Sequence, residues 1–234
     1  DFETLPSSVA ESLLAVVDDV DPSSHEAAWV PDDAPETLVT IASGAFTIGA
    51  PGDGGVAWTR QTTPPIVLVK PRLEGSPEGF VDFLVAEALV EVGLAAPEQF
   101  LGFFDGVYPD LAAAVGDHLD PAGTYQLAAA LSDAYLGLRT REVFAAWNEE
   151  YPALFDAWSD AGERLQPRLS DLSTDLARGS VAFGDAAELA CSAVKHGVEP
   201  PTPFGALDTD AYRRHGADYA VEWAEKTFER MGSG

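Results

Sequence analysis

Arg139, Arg141, Lys195 and His196 are the residues of this sequence whose types and spacing best suit chemistry. Guanidinium groups offer planar forks of donors to carboxylate or phosphate, and an ammonium and an imidazole can share such a ligand. Arg139 and Arg141 follow Gly137, where one amphipathic helix is expected to end and another to begin. A bend there would leave both guanidiniums at a helix junction, with at least one facing a cleft and Lys195 or His196 close enough to share a small anionic ligand. The competing expectation is plain ion pairing: Glu142 lies three residues after Arg139, and Asp210 three and four before Arg213 and Arg214. Arg164 and Arg168 likewise have Asp160 and Asp171 on adjacent turns.

Other chemistries find less footing. Gly49-Ala50-Pro51-Gly52-Asp53-Gly54-Gly55 has the glycines of a phosphate loop but no lysine or hydroxyl, and it runs into the strand-like Val56-Ala57-Trp58, so a hairpin loop is expected. The four histidines, His25, His118, His196 and His215, form no His-Glu-x-x-His or Glu-x-x-His pair. Asp117-His118-Leu119-Asp120 reads as a loop and a helix cap before it reads as a metal site. Cys191 and His196, five residues apart on one helix, point to different faces, and the neighbours Ala187, Leu189, Ala190, Ala193 and Val194 suit a buried thiol. No Gly-x-Ser-x-Gly elbow occurs. The expectation is therefore no catalytic constellation, no metal and no cofactor. The rival is an enzyme whose site is assembled from distant residues such as Tyr125, Asp133, Arg139 and His196, acting on a small anionic substrate.

Charge sets the setting. The chain carries 39 Asp and Glu against 13 Lys and Arg, a net of −26, and only three of the cations are lysine. Disordered acidic chains lack the apolar surface to fold; here 46% of residues are hydrophobic, with five Trp and twelve Phe. Such a surface repels itself in dilute buffer but is screened over roughly 3 Å at about 1 M salt. The reading is salt adaptation. Nucleic acid is disfavoured as a partner, since its binding rests on cations that neutralise phosphates. One cysteine in 234 residues excludes an intrachain disulfide. No apolar run approaches the roughly 18–20 residues that span a bilayer. The opening Asp1-Phe2-Glu3-Thr4 is acidic where a secretory leader is basic, and the missing initiator methionine leaves room for a removed leader. A cytoplasmic protein is expected, without a membrane partner and with its oligomeric state open.

Two kinds of element must position these groups. Ser8 with Glu11, then Leu13, Leu14, Val16 and Val17, predicts a helix over 7–18, and Ser23 with Glu26 repeats the capping spacing before Trp29. Leu38–Ile41, Ala45–Ile48, Val56–Thr59 and Ile66–Val69 are four β-rich runs divided by Gly and Pro turns, which predicts an antiparallel meander over 37–70 with the last run central. Ser76-Pro77-Glu78 then opens a helix to about 93, apolar nearly all round and so expected at the centre of the core. Helices are predicted from Asp120-Pro121 to about Leu138, and over 141–149, 152–177, 183–196 and 209–231. Lys195-His196-Gly197 closes the fifth of these six.

The segments Tyr125–Leu131, Leu138–Phe144 and Ala187–Ala193, set in this composition, resemble uncharacterised salt-adapted proteins of haloarchaea. The resemblance spans the chain and implies no catalytic residue. The expected fold is α+β, a small N-terminal antiparallel β-meander (1–75, with its helix) packed on a predominantly α-helical body (76–234) as one continuous unit. The expected function is a non-catalytic binding or regulatory role toward a protein or a small anionic ligand.

Overall fold

A computed structural model describes residues 11–13, 15–25, 30–42, 54–94 and 96–232. Of the helix expected over 7–18, residues 11–13 are helical, residues 15–18 form a turn and bend leading into the first strand instead, and residues 7–10 and 14 lie outside the described residues, as do Glu26, the Ala45–Ile48 run and most of the glycine-rich loop. The architecture is α+β: two small antiparallel pairs near the N-terminus packed on a helical body.

Strand β1 (Asp19–Val20) pairs with β3 (Thr62–Thr63), and β2 (Val56–Thr59) pairs with β4 (Ile66–Val69), with Trp58 opposite Val67. The expected small antiparallel sheet is thus present, and its first run is corrected. Leu38–Ile41 is not a strand but part of helix α1 (Glu36–Ala42). Leu38, Ile41 and Ala42 are its buried residues, a spacing of three and four, while Val39 faces solvent. A four-residue run with three β-branched members fits either period, and the core selected 3.6. Nor is β4 central among the described strands, since it pairs with β2 alone and leaves Val69 exposed.

The helical body comprises α2 (Glu78–Gly93), α3 (Phe100–Phe104), α4 (Tyr108–Val115), α5 (Pro121–Glu150), α6 (Pro152–Leu169), α7 (Leu172–Ala177), α8 (Phe183–Lys195) and α9 (Asp210–Gly232). Asp120 caps α5 as its sequence predicts, Oδ1 accepting from Gly123 N at 2.7 Å. Ser76 makes no such cap for α2, which starts after Pro77. The expected break after Leu138 is absent. α5 runs unbroken for 30 residues, about 45 Å, through the centre of the protein. Its Leu127, Leu131 and Leu138 are buried, each stabilising the fold by roughly 1.5–3 kcal/mol.

Gly137 does not end that helix; it admits another. A Cβ there would stand 2.8 Å from the backbone nitrogen and Cβ of Lys195. Together with Ala130, Ala134, Ala187 and Ala190, all buried, it lets α5 and α8 pack closely enough to bring the end of α8 against the middle of α5. The all-round apolar α2 is correspondingly not central: only Phe83, Glu87 and Ala88 are buried, while Leu89 is 58% exposed. Its buried stripe meets a second, smaller core of Phe83, Phe144 and Trp147, with Phe83 edge-on to Phe144 at 5.6 Å.

Candidate functional site

Phe83 and Glu87 stand four apart on α2, so the stripe that buries the ring also buries the carboxylate. The stripe continues to Glu91. Burying a carboxylate is unfavourable unless it is paired, and Lys195 at the end of α8 meets Glu87, Nζ to Oε1, at 2.7 Å. The pair is held where α2, α5 and α8 converge, with the Lys195 side chain 30% exposed and Glu87 9%. Glu91 Oε2 accepts a hydrogen bond from Trp58 Nε1 on β2 at 2.6 Å. Two carboxyls one turn apart therefore anchor different parts of the fold: Glu87 holds α8, and Glu91 holds the β2–β4 pair.

The electrostatics follow from this crowding. Burial and the neighbouring Glu87 and Asp133 push the Glu91 carboxyl up to about 8, against the opposing pull of Lys195 and the Trp58 hydrogen bond. Burial alone would lower the Lys195 ammonium, but Glu87, Glu91 and Asp133 together hold it above the ordinary lysine range. At pH 7 the cluster thus holds a charged Lys195 against Glu87, beside a Glu91 that keeps its proton.

The cations expected to share one ligand are distributed around this cluster. Arg141 pairs with Asp208 and lies 3.5 Å from Val194 O, on the α8 side. Next to Lys195, His196 puts Nδ1 2.9 Å from Trp158 O, so that nitrogen carries the proton and donates. Trp158 Nε1 donates in turn to Lys195 O at 2.8 Å, and the two rings stack with centroids 6.3 Å apart. Burial, then the Lys195 charge, lowers the His196 imidazole to about 4, so it is neutral at pH 7. Arg139 turns the other way, its guanidinium 5.7 Å from the centre of the Tyr135 ring and Nη2 3.5 Å from Leu94 O at the end of α2. Lys195, His196 and Arg141 thus gather at the end of α8, each with an intramolecular partner, and Arg139 sits apart from them.

The sequence-based ion pairs are re-sorted as well. Glu142, three residues from Arg139, is bound instead by Arg213 of α9 at 2.7 Å. Arg214 donates through Nε to the backbone oxygen of Asp210 at 3.2 Å. Among the residues of the rival enzymatic reading, Asp133 acts electrostatically on the cluster, whereas Tyr125 lies two helical turns earlier, about 12 Å along α5, edge-on to Phe100. Cys191 is buried, and burial followed by Asp133 pushes its thiol well above the range in which a thiolate forms at neutral pH. Glu87 and Glu91 were missed by motif reasoning: α2 carries two pairs of acids four apart, Glu78 with Asp82 and Glu87 with Glu91, and the first pair is exposed while the second lies on the buried stripe. Among the described residues, no group of three or more His, Cys, Asp or Glu is placed to hold a metal ion.

At the N-terminal end of α5 lies a cleft of about 200 Å³, lined by Pro31, Pro35 and Leu38 and by Ala112, Leu119 and Pro121. Asp33, Tyr108 and Thr124 supply its polar atoms.

An acidic α+β protein with a buried carboxyl–lysine cluster against the middle of its central helix and an apolar cleft at that helix's N-terminal end is the class these features define. The chain belongs to a family of unknown function, DUF7089, whose family model matches residues 1–231. No curated protein and no solved structure matches it. Among the described residues no helix is long and apolar enough to cross a membrane.

Proposed function

We propose that this is a non-catalytic binding protein that engages a protein partner, working in the salt-rich cytoplasm of a haloarchaeal cell. The cleft beside α1 carries the reading. Small-molecule sites commonly enclose about 300–1,000 Å³, and this cleft, at about 200 Å³, has room for one apolar side chain. Its lining contains no histidine, cysteine, lysine or arginine, so it is equipped to grip rather than to transfer groups. The net charge of −26 and the scarcity of lysine support the saline setting.

Amide NMR titration in concentrated potassium chloride tests this, with N-acetyl-leucinamide and N-acetyl-tryptophanamide as single-side-chain probes. Shifts confined to residues 31–38 and 108–124, lost in Ala112→Leu, are the expected result. Unchanged spectra, or equal shifts in Ala112→Leu, would remove the cleft from the function.

A second reading has its own observation. Glu91, protonated to about pH 8, lies beside Lys195, and perturbed groups of this kind cluster at enzyme sites. It supports an enzyme acting on a small anionic substrate. In the titration just described, an anionic metabolite that shifts Trp58 and Lys195 while leaving the cleft untouched would favour that reading.

A further inference from the structure

Arg60 and Arg139 come from distant parts of the chain and address the same short segment. Arg60, in the turn between β2 and β3, donates through Nη2 to Ala96 O, and Arg139 lies 3.5 Å from Leu94 O. Carbonyls two residues apart are separated by no more than about 7 Å, so the two guanidiniums flank one stretch of backbone. Each is also laid on an aromatic ring: Arg60 is 5.4 Å from the centre of Trp58 and Arg139 5.7 Å from that of Tyr135. Both arginines are half-buried.

Neither guanidinium forms an ion pair with a carboxylate of the described residues. Carboxylates outnumber Lys and Arg three to one here, 39 to 13, so two partly buried arginines that meet carbonyls two residues apart without a carboxylate partner among the described residues require a reason. The nearby acids are occupied. Glu98 accepts from the Arg60 backbone nitrogen at 2.8 Å and from Gln61 Nε2 at 2.6 Å, Glu91 takes Trp58, and Glu87 takes Lys195. Satisfying carbonyls just past the end of α2 would be one task for the pair, yet it uses a single nitrogen of each fork, and the 3.5 Å separation at Arg139 is at the limit of a hydrogen bond. A guanidinium has five N–H donors. Each guanidinium lies over a ring and, among the described residues, leaves most of its donors unspent.

We propose that Arg60 and Arg139 form a two-arginine site for a dianionic ligand, a phosphate monoester or a small dicarboxylate, held in bidentate fashion at the C-terminal end of α2. The site goes beyond the cleft reading. It lies some 15 residues further along α5, about 22 Å from Thr124, and either can fail without the other.

Inorganic phosphate and succinate are the probes, titrated separately against the Trp58 indole and arginine side-chain NMR signals at constant ionic strength. The chemistry shared by the two predicts saturable shifts with at least one, and the tighter of the two names the ligand class. Arg60→Gln and Arg139→Gln should each weaken binding about tenfold or more, since each removes a charge-assisted bidentate contact. Arg139→Lys, which keeps the charge and removes the fork, should weaken it nearly as much without disturbing the fold. Arg213→Gln, which removes a surface cation already paired with Glu142, should leave it unchanged. Absence of saturable shifts with both probes overturns the site. So does equal binding by Arg139→Lys and wild type, or an equal loss in Arg213→Gln, which would reduce the effect to net charge.

Discussion

Glu91 is the residue whose chemistry is furthest from ordinary. Its carboxyl titrates near 8 in the native state against about 4.5 when free, so between those values the native chain holds a proton that the unfolded chain has lost. Stability must therefore fall as pH rises through that window. His196 works in the opposite sense: burial lowers it to about 4, so the unfolded chain takes up the extra proton and stability falls as pH drops from 6.5 toward 4. The two effects oppose each other below 6.5, which leaves 6.5–8 as the interval that belongs to Glu91. Chemical denaturation of Glu91→Gln should show a flatter pH profile there and a gain of roughly 1–2 kcal/mol at pH 8.5, because the amide can still accept from Trp58. Lys195→Ala strands the Glu87 carboxylate in its buried stripe and should destabilise by roughly 1–3 kcal/mol, discounted for the partial exposure of the lysine. Adding Glu87→Gln should recover much of that loss; a double variant as unstable as the single would show that packing of the lysine stem, not the pairing, is what was lost.

At the scale of elements, the close pairing of α5 and α8 decides where every candidate side chain lies. Gly137→Val would press a branched side chain against the Lys195 backbone and should lower stability by about 1–3 kcal/mol, read as a thermal shift in high salt. The Glu91–Trp58 hydrogen bond should then be perturbed as well, seen as movement of the Trp58 indole N–H signal, since the displaced Lys195 carries Glu87 with it. The last helix shows a different use of glycine. α9 is two helical pieces meeting at Gly216, whose φ of 51° and ψ of −123° are closed to other residues. The bend lets Tyr212 donate to Leu131 O at 2.7 Å while Trp223 and Phe228 pack with Phe183 further on. Gly216→Ala should cost about 1–3 kcal/mol although nothing approaches its Cβ closer than 3.5 Å, because the strain is in the backbone.

For the molecule as a whole, charge is the governing quantity. Thirty-nine carboxylates on one chain repel one another when unscreened. Far-UV circular dichroism and tryptophan fluorescence should both report unfolding as potassium chloride is dialysed away, and recovery when it is restored. Signals that persist unchanged in dilute buffer would detach the acidic surface from salt. Among the described residues, four cations go to local pairing rather than to long-range compensation, meeting Asp208, Glu87, Glu142 and Glu222.

Residue types and their order alone determined the α+β class, the β2 and β4 strands, the Asp120 cap and most helix starts, because caps, prolines and local periodicity act over a few residues. They also determined the burial of Cys191, through its small apolar neighbours. Tertiary structure decided what local rules leave degenerate. Leu38–Ile41 became helix because α1 could bury Leu38, Ile41 and Ala42 together. Gly137 reads locally as a helix end, and only the backbone of Lys195 against it shows a helix crossing. Arg139 and Glu142 have ideal spacing, yet Arg213 arrives from 71 residues away to take the carboxylate. The pairing of Glu87 with Lys195 spans 108 residues and of Trp58 with Glu91 33, and no short-range pattern encodes either. Which charge meets which is set by the close approach of helices, a property of the assembled core rather than of any one segment.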